Sequence, residues 1–120
     1  MGKRVVVATA VVVFAVAAVP TAFGGGALLK ISADKAALKY NVTRLKADAG
    51  TVTISMANPS PFLKHNVAIK GNGLDKKGAV VGKGGTSRVA VFLKPGKYVF
   101  YCSVPGHEAG GMKGALTVTK

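Results

Sequence analysis

Alternation of apolar and polar residues with a period of two is the feature that most restricts how this 120-residue chain can fold. In residues 50–58, which read GTVTISMAN, Val52, Ile54 and Met56 fall on one face, as they do in a half-buried β-strand. Similar runs recur at residues 28–33, 65–70, 87–93, 97–103 and 114–119, separated by turn-forming stretches rich in Pro, Gly and Asn. Many short strands with turns between them predict an all-β sandwich.

Residues 34–50, which read DKAALKYNVTRLKADAG, do not show this alternation clearly. Residues 38–43 are compatible with one more strand, and residues 36–39 with a single helical turn. The sequence contains no internal repeat and no sign of a second domain, so we expect one domain after the N-terminal segment.

The N-terminal segment has the pattern of an export signal. Lys3 and Arg4 are followed by an uncharged, mostly apolar stretch of 25 residues that contains Pro20. We expect residues 1–24 to be a cleaved signal peptide or, if they are retained, a membrane anchor, since about 20 apolar residues span a bilayer. Residues 25–120 then form the exported domain, and we expect a periplasmic, extracellular or cell-surface location.

The chain has a single cysteine, Cys102, so no disulfide can form within it. The domain has fewer than 100 residues and therefore a small hydrophobic core. Exported domains of that size usually add disulfides or a metal ion. Cys102 is therefore a buried inert thiol, an intermolecular bridge or a metal ligand.

The domain is strongly basic. Outside the N-terminal segment, 15 Lys and Arg residues stand against four acids and give a net charge of +11. The lysines are scattered singly, without an Arg cluster or an aromatic ladder, so nucleic acid is not the expected partner. An acidic protein or an anionic membrane surface fits this charge better. Association with a membrane through the N-terminal segment is compatible with the same charge.

The stretch YCSVPGHEAGGMK contains three residues with soft donor atoms within eleven positions: Cys102, His107 and Met112. Cys102 ends a strand-like run and shares the apolar face of that run, so its side chain is predicted to point inward. The Pro and Gly residues of the loop permit a tight return that directs the three donors to one place. His65, the only other histidine, could close the same site from a neighbouring strand.

Two imidazoles, one thiolate and one thioether are typical donors of a blue-copper centre, where His2Cys is trigonal and Met is a weak axial ligand. Structural zinc is disfavoured, because such sites usually contain more thiolates or a carboxylate. A catalytic metal would need an open position, which Met112 fills. A Cys-His hydrolase would need an orienting acid or amide beside Cys102 and His107, and the sequence offers none in a recognisable context.

The stretches HNVAI and YCSVPGHEAGGMKG resemble the cupredoxin family, small blue (type 1) copper proteins of the plastocyanin, azurin and rusticyanin kind. The resemblance extends over the exported domain and implies a Greek-key β-sandwich that holds one copper ion, as Cu(I) or Cu(II). It implies His65, Cys102 and His107 as equatorial ligands and Met112 as the axial ligand. It also implies that Asn66 ties the two ligand loops together and hydrogen-bonds near the Cys102 sulfur.

The expected function is that of an exported mononuclear type 1 copper protein that carries single electrons between redox partners and is not an enzyme. We expect acidic partners and a monomer. His107, in a loop of apolar and small residues, is expected at the solvent edge, and His65 is expected to be buried. The Lys64 carbonyl is a candidate for a further weak ligand, as the resemblance to azurins implies. One alternative is a copper-binding module for scavenging or delivery without fast electron transfer, and another is a structural surface domain.

Overall fold

The computed structural model describes residues 27–120, which form a sandwich of two β-sheets. Its strands in chain order are β1 (Ala27–Ser32), β2 (Arg44–Asp48), β3 (Gly50–Ala57), β4 (Ala68–Gly71), β5 (Leu74–Lys77), β6 (Thr86–Leu93), β7 (Gly96–Tyr101) and β8 (Lys113–Thr119). The predicted signal peptide or anchor, with its boundary after residue 24, lies outside the described residues and stays a prediction. Within residues 27–120, no helix is long and apolar enough to cross a membrane.

One sheet contains three strands in the order β1-β3-β6, and the other contains five in the order β2-β8-β7-β4-β5. β1 is parallel to β3 and β2 is parallel to β8, whereas all other neighbours are antiparallel. Several consecutive strands lie in different sheets, as they do in Greek-key sandwiches. The prediction of an all-β Greek-key sandwich is confirmed.

The inward-facing residues of the two sheets form one hydrophobic core. In β3, Val52, Ile54 and Met56 are fully buried, which confirms the face assigned to this run from its alternation. From the opposite sheet, Tyr98 and Phe100 of β7 enter the same core. The outward faces of both sheets are left to polar and charged side chains, with a few exposed apolar exceptions.

Two strands have no counterpart among the predicted ones. β5 reads LDKK and lies at an edge of the five-stranded sheet, where three of its four side chains are exposed. β2 occupies the other edge and reads RLKAD, with only Leu45 and Ala47 turned inward. Because Ala, Asp and Lys are depleted in strands, the composition of these short edge strands resembles that of loops.

The elements predicted within residues 34–50 do not form. Tyr40 makes only an isolated bridge with Ala33, so residues 38–43 are not a strand. Residues 36–39 contain no helical turn, because the Asp34 carboxylate accepts the N–H groups of Ala36 and Ala37 at 2.8 and 2.7 Å and holds a different turn. Both interpretations of this segment are therefore wrong.

The strand predicted at residues 65–70 is shorter in the structure, since β4 starts only at Ala68. His65 instead exchanges two backbone hydrogen bonds with Val81, at 3.1 and 2.8 Å. The Val67 N–H donates to the Ser87 hydroxyl at 3.2 Å. The backbone before β4 is thus held by contacts outside the regular ladder.

The end of the sandwich formed by residues 58–67 and 102–112 is called the donor end, since it contains the predicted donor residues. β7 runs into it and β8 leaves it, so residues 102–112 form the loop between two antiparallel neighbours. β4 starts beside the end of β7, where Ala68 pairs with Tyr101. The sheet therefore brings the segment of His65 next to the segment of Cys102.

Gly114 of β8 faces the ring of Phe100, its neighbour on β7, and this close approach generates a stability prediction. A Cβ at Gly114 would overlap the Phe100 ring and lie 2.7 Å from the Thr43 carbonyl oxygen. We expect Gly114→Ala to lower the free energy of unfolding by about 1–3 kcal/mol, the usual effect of overpacking a core. Gly82→Ala is the control, because nothing lies within 4 Å of a Cβ there. Equal urea-unfolding midpoints of the two variants would contradict this packing.

Candidate metal centre

Three donor atoms meet at the donor end, and they are His65 Nδ1, Cys102 Sγ and His107 Nδ1. The two nitrogens are 3.2 Å apart. The sulfur lies 3.9 Å from His65 Nδ1 and 3.6 Å from His107 Nδ1. The structure thus brings together three of the four predicted ligands, although they are up to 42 positions apart in the sequence.

One metal ion fits among these atoms without moving them. A circle through the three has a radius of about 2.1 Å, as their separations require, and metal–nitrogen bonds in proteins are about 2.0–2.1 Å long. Two imidazoles and one thiolate in a triangle are the set that copper takes in blue-copper sites. Within residues 27–120, no carboxylate belongs to this cluster, which makes the donor set a poor match to a zinc site.

The three donors differ in their access to solvent. The side chains of His65 and Cys102 are fully buried, whereas His107 is partly exposed. This confirms the expectation that His107 lies at the solvent edge and His65 beneath it. Of the three donor residues, His107 is therefore the one that is accessible from solvent.

Backbone hydrogen bonds shape the loop that contains His107. The Cys102 N–H donates to the Met112 carbonyl at 3.1 Å, and the Met112 N–H donates to the His107 carbonyl at 3.1 Å. Gly106, which precedes His107, has a φ of 85°, in the left-handed region that glycine adopts without strain. The loop therefore turns back on itself and directs the His107 ring toward Cys102.

Met112 is fully buried and lies immediately before β8. Its main chain is hydrogen-bonded to both Cys102 and His107, so its backbone lies beside two of the three donor residues. A thioether is a weak donor that suits a long axial position above a trigonal plane. The role of Met112 as that axial ligand stays a prediction.

Asn66 connects the two segments that supply the donors. Its side-chain oxygen accepts the Ser103 N–H at 2.7 Å, and its amide nitrogen donates to the Ser103 hydroxyl at 2.8 Å and the Gly78 carbonyl at 2.9 Å. Its backbone N–H points at the Cys102 sulfur, 3.5 Å away. These contacts confirm the tie between ligand loops that the resemblance implied for this asparagine.

Sequence reasoning missed two residues that support the site. The buried Tyr40 hydroxyl donates to the Asn66 carbonyl at 2.7 Å, and burial, followed by the charge of Cys102, raises the pKa of this phenol. Asn58 donates to the Leu63 and Val81 carbonyls, at 3.0 and 2.9 Å, and thus holds both chains that flank His65. Asn58 begins the stretch NPSP, one of the Pro- and Asn-rich stretches that predict turns. No local pattern marks Tyr40.

Burial favours the neutral form of His65, which is the form that binds a metal. Burial of the ring and, secondly, the charge of His107 lower the pKa of His65. Its Nδ1 faces the other donors, and its Nε2 is buried with no hydrogen-bond partner among the described residues. Proton loss from an imidazole costs less when the ring is desolvated beside a second histidine, so both features favour metal binding over protonation.

A second group of polar side chains lies beside the Cys102 segment, on the outer face of the five-stranded sheet. Lys70 forms an ion pair with Glu108 at 2.7 Å and lies 4.3 Å from the centre of the Tyr101 ring. The Tyr101 hydroxyl donates to Asp75, a contact that lowers the pKa of that carboxyl. Glu108 follows His107 directly, so the ion pair fixes the His107 loop to β4.

The comparisons with known proteins agree with this geometry. Residues 27–119 match the model of a family described as copper binding proteins, plastocyanin/azurin family. Sodium-dithionite-reduced auracyanin from the photosynthetic bacterium Roseiflexus castenholzii is similar in structure, with 27% identity and a TM-score of 0.69 over 81% of this chain and 100% of that chain. No curated protein sequence matches the chain.

Two further auracyanins share the fold. Auracyanin B has 23% identity and a TM-score of 0.68 over 81% of this chain and 91% of its own. Auracyanin A, a "blue" copper protein from the green thermophilic photosynthetic bacterium Chloroflexus aurantiacus, has 22% identity and a TM-score of 0.68 over 79% of this chain and 100% of its own.

The family match covers residues 27–119, which is almost every described residue. The match to a copper-binding family and the cluster of His65, Cys102 and His107 indicate copper as the cofactor. The chain belongs to the plastocyanin/azurin family of copper-binding proteins.

Proposed function

We propose that this protein is an exported mononuclear type 1 copper protein that carries single electrons between redox partners. The observation that supports this most is the preformed triangle of His65, Cys102 and His107, set in a buried, hydrogen-bonded frame. Bound copper supplies one-electron exchange between Cu(I) and Cu(II). The hydrogen bonds of Asn66 and of the His107 loop would hold the donors in place while the copper changes its oxidation state. The structural neighbour from Roseiflexus castenholzii, described as dithionite-reduced, is consistent with such a role.

In this proposal His65, Cys102 and His107 are the equatorial ligands and Met112 is the axial ligand. The burial of Met112 and its hydrogen bonds to the ligand loop support that assignment. The carbonyl of Lys64, directly before His65, is the remaining candidate for a weak additional contact. The protein has no catalytic role in this reading, because no open ligand position is left for a substrate.

Electrons are proposed to pass through the partly exposed His107 edge. The surrounding surface of the donor end is apolar, with Phe62 90% exposed and Pro61 and Leu63 beside it. A Cβ on Gly110, in the His107 loop, would lie 2.7 Å from Leu38, so the segment before β2 borders this surface too. A flat apolar area around a ligand edge lets a partner approach closely and transiently.

The proposed partners are acidic redox proteins, and the protein is proposed to act as an exported monomer. Lys64 and Lys113 are exposed and adjacent in sequence to His65 and Met112. The nearest acid in sequence, Glu108, is neutralised by Lys70, so the donor end has a basic rim. Positive charge around an apolar centre steers acidic proteins to the surface at which electrons leave.

The first test is the visible spectrum. Copper-loaded protein is expected to be intensely coloured by charge transfer from the Cys102 thiolate, and Cys102→Ser is expected to lose that colour. We expect Cys102→Ser to fold, because serine is smaller than cysteine. Circular dichroism of the metal-free variant checks the fold. A colourless Cu(II) adduct of the wild-type chain would overturn the blue-copper assignment. Slow electron self-exchange in a coloured protein would instead favour copper scavenging or delivery.

Met112→Leu tests the axial position. We expect this variant to keep its copper and its colour but to have a higher reduction potential, because loss of a weak axial donor favours Cu(I). Leucine preserves the buried volume, so the core is not disturbed. Voltammetry measures the potential, and metal analysis after dialysis measures retention. Complete loss of copper would show that Met112 is a primary ligand.

Salt dependence tests the basic docking surface. Electrostatic steering raises encounter rates roughly tenfold to a thousandfold at low salt, and at 0.1 M salt the screening length falls to about 10 Å. Stopped-flow reduction by acidic redox proteins should therefore slow steeply as salt rises. Lys64→Glu and Lys113→Glu should each slow it at low salt without changing the spectrum. Rates that are flat with salt for several acidic partners would assign these lysines to solubility instead.

A further inference from the structure

The outer face of the three-stranded sheet is a second surface with large exposed apolar side chains, besides the donor end. It is formed by the outward residues of β1, β3 and β6, which the strand register arranges in four rows. The rows are Ser32–Ala57–Thr86, Lys30–Ser55–Arg88, Leu28–Thr53–Ala90 and Thr51–Phe92. We call this surface the three-stranded face.

Two large apolar side chains stand out from the three-stranded face. Leu28 is 60% exposed and Phe92 is 66% exposed, and the residues between them have only hydroxyl or methyl groups. None of the four acidic residues of the chain lies in β1, β3 or β6. Lys30 and Arg88 take part in no salt bridge within residues 27–120. The face therefore combines projecting apolar groups with uncompensated positive charge.

The opposite outer face has more cations but lacks these apolar groups. On the five-stranded sheet, Arg44 and Lys46 are exposed and lie beside Ala115 and Thr117. Asp48 and Asp75 lie in the strands of that sheet, and no large hydrophobic side chain of its strands is strongly exposed. It is a polar, mixed-charge surface, suited to water or to weak protein contacts.

The two strongly apolar surfaces lie on different parts of the molecule. Phe62 belongs to the donor end, whereas Phe92 lies near the turn that joins β6 to β7, at the other end. The six residues of β7 separate that turn from Cys102, which is about 20 Å at 3.3 Å per strand residue. A surface that contacts Phe92 therefore leaves the His107 edge free.

We propose that the three-stranded face docks on an anionic lipid bilayer. Exposed Leu and Phe side chains enter the interface between headgroups and acyl chains, while Lys and Arg beside them are drawn to anionic headgroups. The chain that leads into β1 is apolar as well, since residues 5–26 contain no charged side chain and Leu28 follows two positions later.

Docking in this way orients the whole domain. The three-stranded sheet lies against the membrane surface, and the five-stranded sheet faces the water. The copper site, in the loops at one end, is neither covered nor inserted. The proposal does not depend on electron transfer, because none of the residues on which it rests belongs to the donor end.

The chain contains no tryptophan, so a single introduced Trp reports whether its position lies in water or in the membrane. We would place it in the full chain as Phe92→Trp or as Phe62→Trp, with the copper reduced, and add vesicles of phosphatidylcholine with or without phosphatidylglycerol. Phe92→Trp emission should shift to the blue and be quenched by brominated lipid when phosphatidylglycerol is present. Phe62→Trp emission should remain that of a solvent-exposed indole.

Charge variants in the Phe92→Trp background test the cations. Lys30→Gln and Arg88→Gln should each raise the lipid concentration for half-maximal shift roughly fivefold, the effect expected of one basic residue at an anionic surface. Lys46→Gln on the five-stranded sheet is the matched control and should leave this lipid concentration unchanged. Circular dichroism of all variants verifies the fold.

Three results would overturn the proposal. A Phe92→Trp emission that stays unshifted on phosphatidylglycerol vesicles would show that lipid is not the partner of this face. A shift of Phe62→Trp would place the donor end in the membrane. Equal losses of vesicle affinity in Lys30→Gln and Lys46→Gln would show that the net charge of the protein alone, and not this face, determines its attraction to the vesicles.

Discussion

The side chain of Asn66 joins the two chain segments on which the metal centre depends. Through Ser103 and Gly78 it fixes the segment after Cys102 to the segment after His65, and its backbone N–H approaches the Cys102 sulfur. A trigonal site requires donors from distant parts of the sequence to hold their spacing within tenths of an ångström. Here amide hydrogen bonds join the two segments and hold the donor residues beside one another.

The sandwich provides the second constraint, because it determines which donors are buried. β7 continues into Cys102 with its inward face, and the chain before β4 places His65 beneath the surface. His107 lies on the loop between β7 and β8 and keeps part of its ring in solvent. The exposed apolar and basic surfaces are then distributed around this fixed arrangement, one at the donor end and one on the three-stranded face.

Much of this could be predicted from the sequence, because alternation and donor spacing are local patterns. They gave the sandwich, the inward face of β3 and the set of donor residues. The edge strands β2 and β5 could not be predicted, since their charged, weakly apolar residues bury little surface. The hydrogen bond of Tyr40 to the Asn66 carbonyl could not be predicted either, because it joins residues 26 positions apart through packing alone.

The lone thiol of the domain is completely buried, and burial limits its reactions with other molecules. A disulfide between two molecules, or oxidation to a sulfenic acid, requires the sulfur to reach solvent as a thiolate. Cys102 has no exposed surface, and its neighbours are fixed by the Asn66 contacts. As long as the domain stays folded, this burial slows both the oxidation of Cys102 and its pairing with a second molecule.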